Sequence, residues 1–417
     1  MKLRNIGVLA TVAVVAFSAC NQPPAASGGA TKGTVNFAIE LPQQGSEKAA
    51  SDPIINGIKL AVKDAGGAAG GYKIEIPNSV IKDDALNGVH DPQTGAANMS
   101  QLVAIPEVIG VIGPLNSNVG AAQIPISSAA GLAHCSPANT NPDLTKGEAA
   151  ADLRGGKPNN YIRVVTTDDV QGPAAAVYTF ETLGAQSVYI IDDTEIFGKG
   201  VADTFETAFE EAGGTVVKRD GAPRTTQDYV SLMTAAAALN PEAIYFGGVT
   251  ASGGARIYQA AQQAGLEDIP YIGPDGINDG DAATPDSFLN LAGDAAEEGV
   301  YSTLAGIGTF EGKEEFDAAY EAEYGIAATG YAAQGYTCAQ IFLDALERAG
   351  ATNPADLTAL REAMRVAVTD TSITYETVQG DIQFDEFGDT SQLIVSIYSV
   401  EGGSWLFEEQ VDYATAE

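Results

Sequence analysis

From Thr34 onward, short apolar runs alternate with longer stretches in which apolar residues recur at helical spacing. TVNFAIEL (34–41), YKIEI (72–76), EVIGVIGP (107–114) and GLAHCSP (131–137) are predicted strands. SDPIINGIKLAVKDAGG (51–67) is a predicted helix that opens on Ser51 or Asp52 and stops at glycine, and further helices are expected around 93–104 and 119–130. The alternation starts again at YIRVVTT (161–167). It continues through SVYIIDD (187–193), TVVKRD (215–220), AIYFGGV (243–249), IPYIGPDG (269–276) and GVYSTL (299–304). Two helices follow, EEFDAAYEAEYG (314–325) and AAQGYTCAQIFLDALERAG (332–350), and the tail reads as strands ending in a hairpin. Strands separated by helices specify parallel sheets covered on both faces, and strands this numerous predict two doubly wound sheets. Ligands of such sheets bind beyond the carboxyl ends of the strands, so function is expected at the strand-to-helix junctions.

Four junctions carry unusual polar clusters. GPLNSNVG (113–120) and CSPANTN (135–141) display small hydroxyls and amides after consecutive strands. FGGVTASGG (246–254) combines glycines with Thr250 and Ser252, and IGPDGINDG (272–280) sets Asp275 between proline and glycine. Hydroxyls, amides and free N–H groups at a helix start suit a carboxylate, and the Asp275 carboxylate suits an ammonium group, so together they could hold a zwitterion. Each cluster also has a local reading: Ser117 and Asn118 as helix caps, Asn139-Thr140-Asn141-Pro142 as a capped turn.

The N-terminus is of another kind. MKLRNIGVLATVAVVAFSAC places Lys2 and Arg4 before an apolar run that ends in Ser18-Ala19-Cys20, a secretory signal too short for a stable membrane span. It resembles a bacterial lipoprotein signal, with Phe17 in place of the usual leucine. That resemblance implies a signal over 1–19 and lipidation of Cys20; the other reading is an ordinary cleaved signal. Residues 20–33 then form a flexible tether. The protein is expected outside the cytoplasm, anchored to the membrane.

Charge and chemistry narrow the function. Lys+Arg number 21 against 55 Asp+Glu, a net charge of −34, which disfavours binding to a phosphate backbone and hence to nucleic acid. There are two histidines, His90 and His134, and no G-x-S-x-G or H-E-x-x-H motif. His134 lies beside Cys135, but neighbours on a strand point to opposite faces, so His134 is read as having no chemical role. The pairs Asp83-Asp84, Asp168-Asp169 and Asp192-Asp193 are read as solvated loop residues. No metal site, cofactor or enzymatic activity is expected.

The order and spacing of GPLNSN, SPANTNPDLT, TTDDVQGPAAA, IIDDTEIFGKG, IYFGG, IGPDG and GDIQFDEFGD resemble those of the periplasmic leucine/isoleucine/valine-binding proteins, over roughly residues 34–400. The resemblance implies a type I periplasmic-binding-protein fold, two doubly wound parallel-sheet lobes joined by three crossings, with lobe 1 at 34–165 and 304–378 and lobe 2 at 166–303 and 379–417. It implies the substrate-binding lipoprotein of an ABC importer, monomeric, delivering an amino acid or analogue to a membrane permease. The same receptor serving as a ligand sensor, or tuned to an amide, urea-like or aromatic acid ligand, is the alternative. By resemblance the ligand carboxylate meets Ser117, Thr140 and the backbone of Ala138 and Asn139, the ammonium meets Asp275, and Phe197 supplies an aromatic wall. Val249-Thr250 stands where the family has tyrosine and Ala50 where it has an aromatic residue, departures expected to enlarge the pocket or thin its wall. If that fold holds, Cys135 and Cys338 share lobe 1, where two buried free thiols are the favoured state and a disulfide the other.

Overall fold

The computed structural model describes residues 31–293, 296 and 299–414; the signal segment and Cys20 lie outside the described residues. VIGVI is buried at every position and forms the strand Val108–Ile112. It pairs in parallel with Thr34–Glu40 on one side and Ala133–Ser136 on the other. A central parallel strand has covered faces on both sides, which is why its apolar run is unbroken. Tyr72–Glu75 lies beyond Thr34–Glu40 and Tyr161–Arg163 beyond Ala133–Ser136. The second sheet repeats this winding: Thr215–Gly221 flanks Ser187–Asp192, which is followed by Ala243–Gly247, Tyr271–Gly273 and Val300–Leu304, all parallel. The antiparallel hairpin Ile394–Glu401 and Ser404–Asp412 extends it. In both sheets the first strand sits between the second and the third, so the connections diverge there and open a crevice at the carboxyl ends.

Small residues set how closely the covering helices approach. Phe342, on the helix Ala332–Ala351, lies over Gly110, where a methyl group would come within 2.5 Å of the ring. That helix crosses Glu47–Asp64 through glycine: a methyl at Gly57 would sit 2.1 Å from the Ala332 carbonyl oxygen. Residues 332–384 therefore complete the first core, although the second sheet intervenes in sequence. A division at 378/379 falls inside the hairpin of Tyr375–Thr377 and Gly380–Ile382. Tyr375, Ile382 and Phe384 all pack into the first core, and the chain joins the second sheet only at Ile394.

Two expectations are corrected by this packing. Cys135 and Cys338 are not free thiols but a disulfide, with Cα atoms 6.0 Å apart, because the end of Ala133–Ser136 meets the face of Ala332–Ala351. Nor are the acid pairs simply solvated: Asp84, Asp168, Asp192 and Asp193 are all buried. Asp193 accepts the Ser252 hydroxyl (2.7 Å) and the Glu195 N–H (2.9 Å), and Asp192 pairs with Arg219 at 2.9 Å. Asp192 and Asp193 thus build turns at strand ends instead of facing water.

Because the disulfide closes a long loop, replacing Cys135 and Cys338 together by Ala should lower unfolding stability by about 2–4 kcal/mol. Denaturant titration checks this. Under a reductant the parent should fall toward the variant while the variant stays unchanged; coincident midpoints without reductant would refute the contribution.

Candidate functional site

The first wall of the site is shaped by a buried cation. Arg163 is fully buried and donates Nη1 to the carbonyls of Asn139 (3.2 Å) and Asn141 (2.7 Å), Nη2 to Thr145 Oγ1, and Nε to Asp389 Oδ1 at 2.7 Å. A planar guanidinium can hold several acceptors in fixed directions, so it shapes the loop 136–145 around itself. From the other side the Asn139 Nδ2 donates to the Leu115 carbonyl (2.8 Å) and its Oδ1 accepts from Tyr161 Oη (2.9 Å). The two polar loops of the first sheet are thus one hydrogen-bonded unit. Asn116 precedes the helix Ser117–Ala130 without capping it, since its Nδ2 is turned to Glu47 Oε1 at 3.1 Å. Asn118 Oδ1 accepts the Val119 N–H, and its Nδ2 reaches across to Glu195.

Between these loops and the strand ends of the second sheet lies a cavity of about 40 Å³. One water needs about 10–15 Å³ on this measure, so the space fits only a few heavy atoms with the lobes this close. Of the residues singled out from sequence, Ala50, Ser117, Ala138, Phe197, Val249, Thr250 and Asp275 line it together. Asn139 and Thr140 do not; both are buried behind the wall, Asn139 in the bonds above and Thr140 against Asp168. Asn116, from the GPLNSNVG cluster, lines the cavity as well, and Glu47, Asn278, Asp279 and Tyr331 line it without having been anticipated. Asn278 and Tyr331 stand in the wall alongside Ala50 and Val249.

The electrostatics are one-sided. Burial pushes the Asp275 carboxyl up to about 6, although Gln171 Nε2 donates to it at 2.6 Å and the Tyr331 hydroxyl faces it. Burial likewise raises Asp279, which caps Phe288 N–H at 2.8 Å, to about 7. Asp168 is raised by burial and by Asp275, against the lowering effect of the Thr140 hydroxyl beside it. No Lys, Arg or His lines the cavity. Acids held near neutrality in an enclosed cavity with no cation favour a ligand that brings positive charge. Among the described residues no group of three or more His, Cys, Asp and Glu is arranged to hold a metal ion.

The sequence profile described as "Periplasmic binding protein" matches residues 34–403. The chain belongs to the periplasmic binding protein family. It is 27% identical over 373 residues to the Leu/Ile/Val-binding protein BraC3 of Rhizobium johnstonii, which covers 88% of this chain and 92% of that one. Its structure is similar to the leucine-binding protein of Thermotoga maritima, with a TM-score of 0.76 and 26% identity over 91% of this chain and 99% of that one. A solute-binding protein of Rhodopseudomonas palustris, solved with 3,4-dihydroxybenzoic acid, shares the fold at a TM-score of 0.71 and 22% identity, covering 91% of this chain and 97% of that one. The two sheets are the lobes of the family's type I fold.

In this periplasmic binding protein the lobes meet through polar contacts beside the cavity. His90, of the first lobe, is buried between Glu47 of the same lobe and Glu195 of the second; its Nε2 lies 2.7 Å from Glu195 Oε2. Arg224 pairs with Glu195 and donates Nη1 to the His90 carbonyl at 3.2 Å. Asn141 Nδ2 donates to the Ile196 carbonyl at 3.1 Å, next to Phe197. His134, by contrast, is a neutral core residue. Burial lowers it to about 3, and its ring nitrogens meet Gly113 O at 2.9 Å and Ser127 Oγ at 3.1 Å, as a residue without chemistry should.

Burial alone would lower His90, but Glu47 and Glu195 outweigh it and raise the imidazole to about 10. The folded protein therefore binds this proton more tightly than the unfolded chain. The ion pair's stabilisation is fully present below about pH 6.5 and lost as pH rises through about 10. His90→Gln should accordingly cost stability at neutral pH, with the gap to the parent closing above pH 10. Denaturant titrations across pH measure it, and a gap independent of pH would refute the charged pairing.

Proposed function

We propose that this protein is the extracytoplasmic solute-binding component of an ABC importer, and that it holds an amino acid or close analogue between its two lobes by both charged ends. The observation that carries the reading is Asp275: a half-buried carboxylate in a cavity without any cationic side chain, in the same cavity as the Ser117 hydroxyl at a helix start. The ligand ammonium takes Asp275. Its carboxylate takes Ser117 and the wall at Ala138, while Thr140, set behind that wall, supports it from the rear. The N–H groups of Ala138 and Asn139 are directed to Ser136 Oγ (3.2 and 2.8 Å), so the Ser117 hydroxyl carries more of this contact than the backbone. Phe197, Val249 and Thr250 form the wall for the side chain.

Each charge-assisted hydrogen bond contributes about 1.5–3 kcal/mol, and micromolar affinity needs only about 8 kcal/mol. A few such contacts suffice after the cost of ordering ligand and lobes. Because the contacts come from both lobes, the ligand favours the closed arrangement, which a permease then recognises. In this reading residues 1–19 are a signal, Cys20 carries the lipid, residues 21–33 tether a monomeric receptor to the membrane, and the protein is no enzyme.

A thermal-shift screen of the twenty L-amino acids, amides and small carboxylates tests this. A ligand at 100 times its Kd should stabilise by about 2.7 kcal/mol. Asp275→Asn should weaken an ammonium-bearing ligand by about 10–100-fold and an analogue lacking that group much less. Affinity for the ammonium ligand should rise with pH toward a plateau above about pH 6, because the raised Asp275 carboxyl must lose its proton to pair. Equal losses for both ligands, or affinity falling over that range, would overturn the assignment.

A further inference from the structure

A second cavity, of about 360 Å³, flanks the first; the two share only Asn278 and Gly330 in their walls. A methyl at Gly330 would approach the Asn278 carbonyl oxygen at 3.3 Å, so the two shared segments meet closely where the cavities adjoin. Phe310 and Phe316 enter from the first lobe, Trp405 and Phe407 from the terminal hairpin of the second. Phe310 and Phe316 meet edge-on at 6.1 Å. Phe407, though it lines this space, remains 37% exposed. Volume and aromatic lining match those of small-molecule sites.

The polar groups of the same wall are incomplete. Gln334 is 1% exposed, and neither its Oε1 nor its Nε2 has a partner; Trp405 Nε1, Asn278 Nδ2 and Asp317 Oδ1 are also buried without one. Buried polar atoms are normally paired, so five unpaired ones around one cavity mark a missing occupant. Two are acceptors and three are donors. A primary carboxamide offers two N–H donors and a carbonyl with two lone pairs, a set that complements both kinds, and an aromatic ring attached to it suits the walls. We propose that this cavity is a second ligand site, taking an aromatic carboxamide that both lobes contact. Since that occupant touches Trp405 on one lobe and Phe316 and Gln334 on the other, it favours the closed arrangement on its own account. The inference does not depend on what occupies the cavity at Asp275.

Titration calorimetry with benzamide on the purified protein tests it. Saturable binding is expected, unchanged by Asp275→Asn and weakened about tenfold by Gln334→Leu, which keeps the volume and removes the amide. Should Gln334→Leu fail to fold by circular dichroism, Trp405→Phe, which removes one donor and keeps a ring, should weaken benzamide severalfold. Absence of saturable binding would overturn the proposal, leaving the cavity to water. So would binding indifferent to Gln334 and Trp405, or binding lost in Asp275→Asn, which would place benzamide in the first cavity.

Discussion

The architecture of the site depends on accommodating one buried guanidinium. Arg163 ends the edge strand Tyr161–Arg163 of the first sheet with no access to water, and an ion placed there is tolerable only if its donors are satisfied. The loop after Ala133–Ser136 is folded back so that its carbonyls reach Nη1, and Asp389 is brought from the far end of the chain to neutralise the charge. Satisfying Arg163 thus determines where Ser136 to Asn141 lie. Through Asn139 it also determines the neighbouring turn that presents Ser117. The polar wall is rigid because an ion behind it needs it in that shape.

The second lobe is built by a different device. Its turns are organised by carboxylates at strand ends, Asp192 and Asp193, and these hold Val249 and the start of the Phe197 helix in place. A cation organises one wall and anions the other. The cavity between them is left with acids and hydroxyls but no lining cation, and the lobes are drawn together at its edge by Glu47, His90, Glu195 and Arg224. Part of the attraction that holds the lobes closed therefore lies beside the ligand's place and not in it.

Much of this is legible in the sequence, for identifiable reasons. Runs such as VIGVI and VYII are unbroken and buried because parallel strands are covered on both faces, so the two sheets and their junctions could be read directly. Ser117, Thr250 and Asp275 were legible because each follows such a run closely. Tyr331, Asp279 and Glu47 were not: they reach the cavity from a helix start, a loop and the first helix, with no local pattern to distinguish them. His90 had no signal either, since its partner Glu195 is 105 positions away. The disulfide failed as an expectation for the same reason, with 203 positions between the cysteines. The acid pairs misled in the opposite sense, because composition favours solvated aspartates and only topology places Asp84, Asp168 and Asp193 inside.

The return of residues 332–384 to the first core bears on the order in which the protein can be made. A chain that has emerged only as far as Arg163 has the five main strands of the first sheet but lacks the helix that covers Gly110, the Cys338 partner of Cys135 and the Asp389 carboxylate that neutralises Arg163. Such an intermediate has an uncovered apolar face and an unpaired buried cation, so it has little to gain by compacting. The lobe synthesised first is therefore finished last, and it remains incomplete until residues 332–389 have appeared. For a protein that works outside the cytoplasm this is an advantage, since a polypeptide unable to fold early is one that can still be threaded through a membrane pore.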